Sequence, residues 1–98
     1  METTNMDRAE FETKLAAEGY NDVVDREMAA SETNPEHSHD FDALLLILDG
    51  EMTVACNGKP VTFRAGDTCA VPAGTPHTEK YGSGSAGVHY LAGRRHAR

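Results

Sequence analysis

Three of the five histidines have a spacing that could do chemistry. His37 and His39 form an H-x-H pair. On an extended strand, residues i and i+2 point to the same face, so both imidazoles can converge on one ion. His77 follows a series of turn formers: Gly66-Asp67, then Pro72-Ala73-Gly74, then Thr75-Pro76. Such turns put His77 at the start of a strand and fix its position. Three neutral imidazoles facing one concavity suit a divalent transition metal (Fe, Mn, Zn, Ni or Cu), with coordination positions left open for a ligand. An H-x-H beside Asp40 and Asp42 would serve equally well as a polar surface loop. The joint spacing with His77 is what favours the metal.

Two other residues belong to the same question. Glu79, two positions past His77, shares its face on a regular strand. It is either a partner that orients an imidazole, possible additional ligand included, or a surface charge. His89 lies in Val88-His89-Tyr90-Leu91, where alternation puts it on one face with Leu91. It could line a cavity or bind the ion, but the expectation is a hydrogen-bonded structural histidine. His96, in Arg94-Arg95-His96-Ala97-Arg98, is expected in solvent. No nucleophile stands out: there is no G-x-S-x-G, no phosphate-binding loop and no cysteine at a helix start. Any chemistry would be metal-centred, and the sequence assigns no catalytic residue. Two classes stay open: a small metal-dependent oxygenase, isomerase or lyase, and a non-catalytic ligand-binding or sensing module.

These side chains must be carried by a small body. A chain of 98 residues makes one domain with a modest core. One segment reads as helix, Asp7 to Glu18, with Phe11 and Leu15 at i, i+4, Asn5 or Asp7 as cap and Gly19 as stop. Its apolar stripe is thin, so it should lie on something larger. Beyond Gly19, short runs alternate with turn formers. Met52, Val54 and Cys56 alternate with polar or small residues, and Asn57-Gly58 reads as a tight hairpin into Pro60 to Arg64. Ala43 to Leu48 is continuously apolar, as a strand buried on both faces would be. Val88 to Leu91 is a last strand. One helix followed by many short strands predicts an all-β sandwich or barrel.

Charge narrows the partners. The net charge of −7 argues against a nucleic-acid binder. Residues 1–51 hold fourteen acids and three bases, and residues 52–98 hold two acids and six bases. That polarity fits a solvated acidic front with a basic tail, or pairing of the halves within a chain or across a dimer. The absence of a long apolar run predicts no membrane span, and the polar first residues predict a cytoplasmic protein. Cys56 and Cys69 read as buried small hydrophobes, not a bridge.

Two blocks in the sequence resemble the motifs of a small single-domain cupin. The first is His37-x-His39, followed after ten residues by Gly50. The second is Gly66-x5-Pro72-x-Gly74-x2-His77. The resemblance runs from about Val23 to Arg95. It implies a double-stranded β-helix (a jelly-roll barrel), a metal inside one mouth, a small-molecule ligand or substrate, and a homodimer. The implied layout is a helical segment over residues 1–20, a barrel over 21–95 and a tail over 96–98. One departure matters. The family usually places a glutamate seven residues before the glycine, where this chain has Ala43. Asp42 is its neighbour, but a one-residue offset turns a side chain to the other face unless a bulge re-aims it. The site is then either a three-histidine site or one in which Asp42 supplies an oxygen. Tyr81 stands where the family sometimes has an asparagine.

Overall fold

The computed structural model describes residues 6–96. It opens with helix α1 (Arg8–Ala17), followed by eight strands: β1 (Asp22–Met28), β2 (Thr33–His37), β3 (Phe41–Asp49), β4 (Glu51–Cys56), β5 (Lys59–Arg64), β6 (Thr68–Val71), β7 (His77–Tyr81) and β8 (Val88–His96). Two antiparallel four-stranded sheets form, ordered β1-β8-β3-β6 and β2-β7-β4-β5. The expected double-stranded β-helix is the observed fold.

Asp7 caps α1. Its carboxylate accepts from the Glu10 amide at 2.8 Å and the Glu10 carboxylate accepts from the Asp7 amide at 3.1 Å. This reciprocal pair satisfies two amides that no helical carbonyl can reach. The alternative cap, Asn5, lies outside the described residues. Phe11 and Leu15 are buried against Tyr20, Leu44, Leu46 and Leu91 on the outer face of the first sheet. The thin stripe of the helix thus covers the sheet and leaves the barrel interior to other residues.

The apolar run in β3 is buried on both sides, as its composition requires. Leu44 and Leu46 face α1, whereas Leu45 and Ile47 face inward to Met52, Val54, Val71, Val88 and Tyr90. Cys69 is buried in that interior and Cys56 is partly buried; both are free thiols. Burial pushes the Cys69 thiol up to about 12, which keeps it protonated and unreactive. The Asn57-Gly58 turn joins β4 to β5 with both residues at positive φ (+52° and +80°), the conformation a two-residue hairpin needs. Gly50, at φ +84°, sits so close to the next loop that a Cβ would lie 2.3 Å from the Gly87 carbonyl oxygen.

The two halves of the charge distribution meet within the chain. Arg95 pairs with Asp42 at 2.9 Å, His89 with Asp25 at 2.6 Å and Arg64 with Glu51 at 3.2 Å. Strand pairing of β8 with β1 and β3, and of β5 with β4, is what brings basic late residues beside acidic early ones. Among the described residues, no helix is long and apolar enough to cross a membrane.

Candidate metal centre

His37 is the last residue of β2 and pairs directly with His77, the first residue of β7. His39 lies two residues on, in the connection to β3 and not on a strand as the H-x-H pattern suggested. Its backbone is held all the same: its carbonyl accepts from the Gly74 amide at 2.8 Å. The turn of the second block therefore fixes a histidine of the first. Asp42 completes the tie, accepting from the Ala73 amide at 2.9 Å.

One nitrogen from each of the three histidines lies within 4.8 Å of the other two. His77 is 2% exposed, and His37 and His39 are half-buried. The tautomers follow from the backbone. Nδ1 of His37 is 2.7 Å from the Pro35 carbonyl and Nδ1 of His77 is 2.9 Å from the Thr75 carbonyl. A carbonyl can only accept, so both Nδ1 atoms carry the proton and both Nε2 lone pairs are free. That is the arrangement in which imidazoles serve as metal ligands, and these residues could hold a metal ion. Burial, then the neighbouring His37 and His77, hold the pKa of His39 below its ordinary value.

A cavity of about 130 Å³ opens onto the triad. Its walls come from both sheets, with Leu45, Val71 and Ala92 on the apolar side. A void of about 150 Å³ holds a benzene-sized molecule, so an enclosed ligand is of that order. Glu79 faces this cavity. Its carboxylate accepts from Asn34 Nδ2 at 3.2 Å and from the Tyr81 hydroxyl, and its other oxygen lies 3.4 Å from His77 Nε2. Burial, then Glu79, push the Tyr81 phenol above its ordinary pKa.

The structure does not bring the other two sequence candidates to the triad. The pairing of β3 with β8 is regular past Asp42, with its bulge further on, between Ile47 and Asp49. No bulge turns Asp42 inward, so its carboxylate meets Arg95 and the Ala73 amide, while Ala43 lines the cavity. His89 faces outward with Leu91, its Nε2 2.6 Å from Asp25. It is hydrogen-bonded there, on the face of β8 that it shares with Leu91 and that points away from the cavity. Sequence reading missed Arg26, Phe41, Tyr90 and Arg94 as cavity residues. The available signal was the period of two in Val24-Arg26-Met28 and Tyr90-Ala92-Arg94, once one member of each is known to face in.

Residues 25–92 match the family model described as Cupin domain. The chain belongs to the cupin family. Solved structures share its fold. The Cnp3 cupin domain of Schizosaccharomyces pombe superposes with a TM-score of 0.70 at 20% identity, covering 76% of this chain and 55% of that one. A predicted oxalate decarboxylase of Thermotoga maritima gives 0.70 at 22% identity, covering 87% and 74%. The DMSP lyase DddQ of Ruegeria pomeroyi gives 0.66 at 26% identity, covering 74% of this cupin and 36% of the lyase. This cupin thus spans about half of the first of these chains and about a third of the lyase. No curated protein sequence matches it.

Proposed function

We propose that this cupin holds a divalent first-row transition metal with His37, His39 and His77 and uses it to convert a small metabolite, as an oxygenase, isomerase or lyase. The observation that carries the reading is the convergence of three imidazole nitrogens within 4.8 Å at the mouth of a cavity. When bound, such an ion supplies Lewis-acid polarisation, a more acidic bound water or, for iron, a site for oxygen.

The protein's own residues then have defined tasks. The Pro35 and Thr75 carbonyls hold the His37 and His77 rings with Nε2 toward the centre. Glu79 places a carboxylate 3.4 Å from His77 Nε2, beside the three-histidine group. Ala43 faces the same cavity from the opposite sheet. Asp42 acts from outside, tying the Pro72–Thr75 turn that precedes His77.

Metal content of protein purified without chelator tests this directly. His37→Ala and His77→Ala should each abolish stoichiometric metal, and Glu79→Gln should weaken its retention. Full occupancy in either histidine variant overturns the reading. Turnover is tested separately, by reconstituting the Fe, Mn, Zn and Ni forms and screening metabolites and oxygen uptake. A metal-loaded protein that converts nothing supports the alternative, a small-ligand sensing module built on the same site. The proposal includes a homodimer, supported by Val23 and Val61, which stand exposed on the edge strands β1 and β5. Sizing should show a dimer that survives high salt; a monomer at all concentrations removes this part.

A further inference from the structure

The described residues include five arginines. Arg8, Arg64 and Arg95 each hold a carboxylate. Arg26 and Arg94 form no ion pair among the described residues, yet these two line the cavity beside the triad. Neither position is accidental. In β8, Tyr90, Ala92 and Arg94 share the inward face, and in β1 Val24 and Arg26 do the same. The register sets Arg26 opposite Tyr90 and Val24 opposite Ala92. The two guanidiniums therefore bracket a short apolar stretch of wall.

Arg94 is tied to the triad by stacking. Its Cζ lies 5.3 Å from the Phe41 ring centroid, and that ring stacks on His39 at 4.5 Å. Among the cavity residues, Glu79 is the one carboxylate, and Asn34 and Tyr81 already engage it. Two cations against one anion leave the cavity positive before any metal adds its own charge. An unpaired guanidinium is a fork of donors that matches a carboxylate in two parallel bonds. The small volume and the Val24, Leu45, Val71 and Ala92 wall call for a compact organic body and not a hydrated inorganic ion.

We infer that the cavity takes a small organic carboxylate, its charge met by Arg94 beside the triad and by Arg26 on the far flank. The inference rests on the reading of this cavity as the ligand site, and makes these two arginines its specificity-determining residues.

The test compares each acid with its uncharged amide of the same shape. Propanoate and butanoate are titrated against propanamide and butanamide by NMR, with metal-free and with zinc-loaded protein. Each acid should bind at least tenfold tighter than its amide in both forms. Arg94→Gln should bring acid and amide to within twofold, Arg94→Lys should restore part of the difference, and Arg26→Gln should reduce it. Equal binding of acid and amide by the unmodified protein overturns the inference, and that comparison needs no variant to fold. Preference for the acid only with zinc, unchanged in Arg94→Gln, also overturns it, because the metal would then hold the anion. The two readings fail separately. A protein that binds no zinc but keeps an Arg94-dependent preference for acids loses the metal proposal and keeps this one. Stoichiometric zinc without such a preference does the reverse.

Discussion

If the triad binds an ion only in the folded protein, metal must raise the melting temperature by an amount that can be worked out. An ion present at about 100 times its dissociation constant stabilises the native state by about 2.7 kcal/mol. Unfolding entropy near 2.1 cal/mol/K per residue amounts to about 0.2 kcal/mol/K for the 98-residue chain. The expected shift on adding zinc is therefore about 13 °C. Removing one ligand and losing about a hundredfold in affinity leaves the same zinc near its dissociation constant, worth about 0.4 kcal/mol, or about 2 °C. Differential scanning calorimetry suits the measurement, since the chain has no tryptophan to report by fluorescence. His77 is 2% exposed, so His77→Ala also leaves a cavity and lowers the melting temperature of the metal-free protein. The quantity to read is the zinc-induced shift within each variant. His37→Ala, at a half-exposed position, should show the same collapse of the shift with less damage to the apo protein. His89→Gln should keep the full shift, because that side chain faces Asp25 outside the barrel. A full shift in His77→Ala, or its loss in His89→Gln, would place the ion away from the triad.

Three other outcomes follow from the packing and charges. Phe11→Ala removes a fully buried ring between α1 and the first sheet and should cost about 3–5 kcal/mol by urea unfolding; a loss under about 1 kcal/mol would mean the helix is not part of the cooperative unit. Gly50→Ala should lose more than the roughly 1–2 kcal/mol of a left-handed non-glycine residue, because its Cβ would also meet the Gly87 carbonyl; a neutral result would show that the loop yields freely. The Ala73 amide, then Arg95, hold the Asp42 carboxyl below its ordinary value of 3.8. A depressed carboxylate stabilises the fold above its unfolded pKa, and that contribution is lost as pH falls through the folded value. Asp42→Asn should therefore lower the urea midpoint at about pH 7 and progressively less toward about pH 2.5. An equal deficit at both pH values would remove the charge from the explanation.

Whatever depends on neighbours along the chain could be read before any fold was known. The 3.6-residue spacing of Phe11 and Leu15, the Asp7 cap, the Asn57-Gly58 hairpin and the doubly apolar Ala43 to Leu48 are local signals, and each became the element it described. The turn-bounded His77 was legible for the same reason, whereas strand alternation does not place the H-x-H pair, because His39 lies in the loop after β2. The family's absent glutamate at Ala43 could also be read, but not its consequence. Tertiary structure decided which side chains meet, because strand register sets the facing of a whole strand at once. One unbulged pairing turned Asp42 outward to Arg95 and left Ala43 in the cavity. One phase of β8 sent His89 out to Asp25 and brought Tyr90 and Arg94 in. Glu79 gained its partner Asn34 only when β2 paired with β7. Convergence of the three histidines likewise needed β2 against β7 and the Gly74 amide on the His39 carbonyl. These contacts span tens of residues, and no local preference in the sequence encodes them.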